Sequence, residues 1–343
     1  MTFDTSGRAA DRGQCVLRRV HATRTRPSPY CGRSHDGARD GTRRQGSVRP
    51  HRVPSGKRRG PPVGRVSTPP VDAGVPAVNG IRVGVGGWVF PAWRDNFYPK
   101  GLVQRRELEF ASRQLSAIEI NGTFYRAQKP SIYAAWRDQT PPGFVFTAKA
   151  PMRITRSRAL DRTGPQIEDF VGGIAELGDR LGALVWQFDA GPRLDRDAFA
   201  AFLGLLPRHA GGRPLRHALD VRDPAFVDAG YVALARRHGV AIVYTDSDEH
   251  PNVADPTADF VYARLMRSRA QVASGYPARE LAAWAQRART WAAGGAPEGL
   301  PLLAPPAPGA AHREVFVFFI NAAKERNPAA AIGLLRLLGA HPG

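Results

Sequence analysis

A chain of 343 residues, 43% of them apolar, can hold one large domain or two small ones and has enough apolar surface for a sizeable core. The longest unbroken apolar runs, such as Val315–Ile320, fall far short of the roughly 20 residues of a membrane helix, and the Arg-rich start lacks the apolar stretch of a secretory signal, so the expectation is a soluble cytoplasmic protein with no membrane partner. The net charge of +19 invites a nucleic-acid reading, but more than half of it lies in residues 1–78, where sixteen Lys and Arg face five Asp and no Glu. Nearly all the basic residues are Arg, in a chain also rich in Ala, Gly and Pro, as GC-rich coding produces without a ligand, so nucleic acid is only weakly supported.

Residues 1–78 have almost no apolar periodicity and are dense in Arg, Gly, Ser and Pro, so burial cannot offset their ordering entropy. They read as a disordered basic tail; a nucleic-acid arm is the functional alternative. A third reading is a start assigned too far upstream, since Val71, Val75 and Val78 stand just before the first strand and bacterial initiation can use a valine codon. Both cysteines, Cys15 and Cys31, fall in this tail and lack the partners of a disulfide framework or a zinc site.

From Ile81 the pattern becomes short apolar runs alternating with longer amphipathic ones. Eight strands are predicted, at Ile81–Val85, Ala117–Asn121, Phe144–Ala148, Ala183–Phe188, His217–Val221, Val240–Tyr244, Phe260–Leu265 and Val315–Ile320. Helices are predicted near 102–115, 130–139, 166–180, 195–206, 224–237, 279–292 and 327–338, and only the Pro-rich stretch from Asp246 to Asp259 is too short for one. Eight strands with crossovers fit a single α/β domain over 79–343, a (β/α)8 TIM-like barrel; an open doubly wound sheet normally has fewer strands.

A barrel of this kind carries its chemistry at the C-terminal ends of the strands. Polar residues gather there: Trp88 after strand one, Glu119 and Asn121 on strand two, Lys149 after strand three, Gln187 on strand four, Asp220 and Arg222 on strand five, Asp246 after strand six, Arg264 on strand seven and Asn321 after strand eight. The opposite ends begin with residues such as Ile81, Ala117, Phe144 and Val240, which look structural. The densest cluster is Ile118-Glu119-Ile120-Asn121-Gly122-Thr123-Phe124-Tyr125, where an acid and an amide interrupt a buried strand end.

With Gly87-Trp88, Phe97-Tyr98-Pro99 and Lys149-Ala150-Pro151, that octet resembles the domain-of-unknown-function 72 (DUF72), or YecE-like, family over about Ile81 to Leu338. The resemblance implies a TIM-barrel fold and leaves the reaction open. The match is looser toward the C-terminus. Phe90 replaces a Tyr, Val85-Gly86 a Thr-Ser, and Asp220-Val221-Arg222 a Glu-x-Arg; Thr245-Asp246-Ser247 keeps the strand-six Asp. Met266 stands where the family pattern has His, and Ala322 where it has an acidic residue, which weakens any mechanism needing an imidazole or a carboxylate at those points.

The rim thus collects three acids (Glu119, Asp220, Asp246) and three cations (Lys149, Arg222, Arg264). A salt-bridged ring closing the barrel is one reading. The functional one is a site for an anionic or polyhydroxylated small molecule, with Glu119 or Asp220 as general acid or base, Lys149 and Asp246 assisting, and Trp88, Asn121, Tyr125, Gln187, Arg222, Arg264 and Asn321 binding substrate. Lys149 reads first as a charge partner of a Glu, and second as an amine of depressed pKa capable of Schiff-base chemistry. No His falls at a C-terminal strand end (His217 begins strand five; His250 and His312 are in loops), so no metal site and no cofactor is assigned, although three carboxylates keep Mg²⁺ or Mn²⁺ open. Three functions are carried forward: a metal-independent acid/base enzyme (hydrolase, isomerase or lyase) on a phosphorylated or carboxylated metabolite, an endonuclease-like phosphodiester enzyme, and a non-catalytic small-molecule sensor.

Overall fold

The computed structural model describes residues 74–190, 194–305 and 312–340. The expectations for the basic tail, the two cysteines and Val71 lie outside these residues. Residues 74–78, placed in the tail by the sequence pattern, instead belong to the folded unit: Val75 is buried and Val78 exchanges backbone hydrogen bonds with Ile81.

Eight strands, β1 (Ile81–Gly86), β2 (Ala117–Ile120), β3 (Val145–Lys149), β4 (Leu181–Phe188), β5 (His217–Val221), β6 (Ala241–Asp246), β7 (Phe260–Leu265) and β8 (Glu314–Phe319), pair in parallel with their sequence neighbours. β8 pairs with β1, from Ile81 opposite Val315 to Val85 opposite Phe319, and closes the barrel. The helices are α1 (Glu107–Gln114), α2 (Pro130–Gln139), α3 (Met152–Thr155), α4 (Gly164–Ile174), α5 (Arg196–Leu205), α6 (Ala229–His238), α7 (Ala278–Ala292) and α8 (Asn327–Leu338). A two-residue hairpin, His209–Ala210 with Arg213–Pro214, precedes β5, and no helix forms between β6 and β7.

Three helices are shorter than their amphipathic pattern predicts: α1 fills only Glu107–Gln114 of the expected 102–115, after a 3-10 turn at Gln104–Arg106, and two others are cut short for local reasons. The α-helix expected over 166–180 ends at Ile174 and continues as a 3-10 turn broken at Gly178, whose φ of 57° lies in the left-handed region that glycine tolerates. The helix expected from 224 begins at Ala229, because the Asp228 side chain accepts the Tyr231 backbone N–H and caps it there.

Strand side chains alternate between two cores. Outward residues such as Phe146, Trp186 and Tyr244 pack beneath the helices, whereas Ala117, Val145, Val185, Ala218, Val243 and Phe318 fill the barrel interior. The interior is filled unevenly. Rings from β7 and β8 (Phe260, Tyr262, Phe316, Phe318) occupy space left by small residues on the other strands. A Cβ on Gly84 would lie 1.9 Å from the Ala117 carbonyl oxygen and 3.2 Å from Phe318. At the N-terminal mouth, Glu314 is held between Arg82 and Arg216, a closure that matches the structural character read for that end. Above the rings the interior turns polar.

Candidate functional site

Strand register sets the height of each side chain. Glu119 on β2 is level with Thr147 on β3, and Gln187 on β4 is level with Asp220 on β5. Arg264, on the far wall in β7, reaches across the interior. Its Nε donates to Glu119 Oε2 at 2.9 Å and its Nη1 to Asp220 Oδ2 at 2.5 Å, with Gln187 Oε1 a further acceptor at 3.4 Å. Arg222 donates to the same Asp220 oxygen at 3.2 Å. Two carboxylates and two guanidiniums therefore balance at the top of the core, as burial of charge requires.

The layer below supports Glu119. The Tyr262 hydroxyl donates to Glu119 Oε2 at 2.6 Å and lies 2.7 Å from Thr147 Oγ1. Burial and the adjacent Glu119 push the Tyr262 phenol well above its ordinary pKa, so it stays a donor. Burial alone would lower the Arg264 pKa, but Glu119 and Asp220 hold it above the usual value. Two donors, the Tyr262 hydroxyl and Arg264 Nε, thus converge on Oε2, while the other oxygen, Oε1, is buried without any hydrogen-bond partner. Such an atom is costly to bury.

Oε1 belongs to a side chain that lines a cavity of about 290 Å³ at the C-terminal end of the barrel. Glu119, Asn121, Lys149 and Gln187 form one part of its wall, and Arg222, Arg264 and Asn321 another, with the exposed Tyr125 at the mouth. Eight of the eleven residues singled out from the sequence are therefore on one cavity, and a ninth, Asp220, supports it through Arg264 and Arg222. Two are elsewhere. Asp246 points outward from β6 on the same face as Tyr244 and pairs with Arg267 at 3.2 Å; Thr245 is its inward neighbour. Trp88 packs edge-on against Trp136 at 4.9 Å and tilted to Phe146 at 6.1 Å, among the outer core residues, and the cavity's aromatic lining comes from Phe90, Trp93, Phe124 and Tyr125.

Lys149 also differs from its first reading. Glu119 pairs with Arg264, and the Lys149 ammonium stands 3.6 Å from the centroid of the Phe124 ring instead. Burial, then the charge of Arg264, pushes its pKa down to about 8. Lys324, also on the cavity lining, lies over the Phe90 ring at 5.4 Å, and among the described residues it too has no carboxylate partner. Sequence reasoning did not single out Lys324, Tyr262, Thr147 or Phe90. For two of them a signal existed: Tyr262 and Thr147 sit two residues before Arg264 and Lys149, hence on the same barrel face.

The loop after β8 is held in place from two sides. Asn321 and Ala322 both have positive φ, 58° and 44°, unusual for residues other than glycine. The buried Asn327 donates to the Asn321 carbonyl at 3.0 Å, and Trp93 Nε1 donates to the Lys324 carbonyl at 2.7 Å. Strain of this sort persists where surrounding contacts over-determine the backbone, and here it presents Asn321 and Lys324 to the cavity. Among the described residues no three His, Cys, Asp or Glu side chains are grouped to share a metal ion, and no helix is long and apolar enough to cross a membrane.

Comparison with known proteins bears on the whole barrel. Residues 82–343 match the family described as "Protein of unknown function DUF72". The UPF0759 protein YecE of Escherichia coli strain K12 is 30% identical over 152 residues, 44% of this chain and 51% of that protein, so the chain spans about half the length of the curated relatives it matches. Among solved structures, a DUF72 family protein from Thermotoga maritima superposes with a TM-score of 0.59 at 18% identity, covering 75% of this chain and 98% of that one. Another, from Enterococcus faecalis, gives 0.57 at 16% identity over 75% and 95%. These two share the fold, and a match that runs from the first barrel strand to the end of the chain places this protein in the DUF72 family.

Proposed function

We propose that the cavity at the top of the barrel binds a small anionic molecule and carries out acid–base chemistry on it, with Glu119 as the proton-transfer group. The observation that carries this reading is the environment of Glu119: its Oε1 is buried and unpartnered, and its side chain lines a cavity whose other charged lining residues, Lys149, Arg222, Arg264 and Lys324, are all cations. Two donors to Oε2 fix the carboxylate while leaving Oε1 free to exchange a proton. The excess positive charge suits a phosphate or carboxylate. The volume is at the lower end of the about 300–1,000 Å³ typical of small-molecule sites, which favours a compact metabolite over a polymer. Asn121, Gln187 and Asn321 supply amides for hydroxyl or carbonyl groups on the ligand.

The test is a thermal-shift panel of sugar phosphates and small carboxylates on the full chain, followed by product analysis for every molecule that stabilises it. E119Q should keep the shift and lose turnover by about 100-fold or more, the scale of a missing general acid or base. D246N, whose side chain faces away, should retain both. Turnover unchanged in E119Q would overturn the reading. Stabilisation without product would favour a sensor, and salt-sensitive DNA affinity without any small-molecule shift would favour the phosphodiester alternative.

A further inference from the structure

Lys149 has an environment that anion holding does not require. It ends β3 and faces the cavity one inward position beyond Thr147, the register partner of Glu119. The two acids of the site, Glu119 and Asp220, are taken by guanidiniums, so among the described residues the ammonium has the Phe124 face as its only close partner. An ammonium meant only to attract anions gains nothing from being buried against a ring beside two arginines; an amine meant to lose its proton does. With its pKa pushed down to about 8, the free-amine fraction near neutral pH is about 300-fold above that of an ordinary lysine.

Two further atoms fit the same step. Glu119 Oε1 is buried without a partner, and Arg264 Nη2, although 2.9 Å from Glu119 Oε2, makes no hydrogen bond because it lies off the bonding direction. Glu119 and Arg264, which carry these two uncommitted atoms, both line the cavity that Lys149 lines.

We propose that Lys149 is a Schiff-base nucleophile and that the cavity's substrate is a small anionic aldehyde or ketone, its acid group held by Arg222 and Lys324. The inference rests on the anionic, acid–base reading of this cavity and adds the carbonyl. The Lys149 ammonium gives a proton to Glu119 Oε1, and the freed amine attacks the carbonyl carbon. The carbonyl oxygen, facing Arg264 Nη2, takes up the nitrogen's second proton and becomes the carbinolamine hydroxyl. Glu119 then returns its proton to that hydroxyl, the C–O bond breaks and water leaves. One ammonium and one carbonyl thus become one protonated imine and one water, with no oxidant or reductant.

The chain has five lysines, Lys57, Lys100, Lys129, Lys149 and Lys324, so the step can be read residue by residue. The full chain is treated at pH 7 with glyoxylate and cyanoborohydride, which reduces any imine to a stable carboxymethyl-lysine, and in parallel with uncharged formaldehyde. Peptide mass mapping follows both. Lys149 should label at least about tenfold faster than the exposed Lys100 and Lys129, with a larger advantage for glyoxylate than for formaldehyde. E119Q should slow Lys149 labelling by both reagents, and K324M should reduce only the glyoxylate preference. If Lys149 labels no faster than Lys100 and Lys129 with either reagent, the nucleophile is overturned, while anion binding is judged separately by the thermal-shift panel. If it leads with formaldehyde only, the anionic substrate class is overturned along with the anionic reading of the cavity.

Discussion

Replacing Lys149 by methionine should make the protein more stable at pH 7 while removing the proposed nucleophile. In the wild type, burial and Arg264 lower the folded-state pKa from 10.5 to about 8, so below pH 8 the folded protein carries a charge it disfavours. At full burial that difference would be worth about 3 kcal/mol. Lys149 is partly exposed, and solvent screening brings the figure to about 1–2 kcal/mol. The cation–π contact with Phe124 offsets roughly 0.5–1 kcal/mol, and a methionine sulfur against the same ring restores a similar amount, leaving a gain of about 1–2 kcal/mol. Between pH 8 and 10.5 the unfolded chain holds a proton that the folded one has released, so wild-type stability at this site rises with pH. The advantage of K149M is therefore full below pH 8 and gone by about 10.5. Paired urea unfolding of the two proteins at pH 7 and pH 10 reads this directly, because other titrations are common to both and cancel. A K149M protein less stable than wild type by more than about 1 kcal/mol at pH 7, or a difference that does not change with pH, would refute the account of Lys149 as a desolvated amine.

Two further predictions test the surrounding frame. R264M leaves Glu119 and Asp220 buried without their shared guanidinium and should cost about 3–5 kcal/mol in urea unfolding; a loss below about 1 kcal/mol would mean that water already reaches these acids. Two glycines of β1 should respond oppositely to alanine. The new Cβ at 84 meets a backbone carbonyl at 1.9 Å and should cost about 3 kcal/mol or more, whereas at 86 its one close approach is to the Asn121 side-chain amide at 2.7 Å, with Ile320 in ordinary contact at 3.5 Å. G86A should therefore stay within about 1 kcal/mol of wild type and lose about tenfold in affinity for whichever anion the panel identifies, by displacing Asn121 from the cavity wall; unchanged affinity would remove Asn121 from the binding set.

How far the site could be read in advance depended on what each residue needed from the rest of the chain. Glu119, Asn121 and Lys149 stood out because strand ends in this fold converge on one rim, so position along a strand already implied position in space. Asp246 shows where that reasoning stops. It too ends a strand, but β6 is apolar on both faces, and its sequence carries no sign of which face turns inward. A shift of one residue separates Thr245 inside from Asp246 outside. Trp88 lies beyond the end of β1, where the path of the loop, set by packing on Trp136, decides its place.

Order and kind of element were local properties. Apolar periodicity, the Asp228 cap and Gly178 act over a few residues, and with eight strands and their crossovers they are enough to specify a barrel. Partnership was not local. Arg264 and Glu119 are 145 positions apart, and both are charged residues that could have paired with several others; Lys149 was the nearer choice along the chain. Only closure of the sheet between β8 and β1 brings Arg264 across the interior to Glu119 and leaves Lys149 over a phenyl ring. The amino-acid sequence alone determined that acids, amides and cations would meet at one end of a barrel. The tertiary structure decided which of them cancel and which stay free, because a buried charge takes its character from the groups that fold around it.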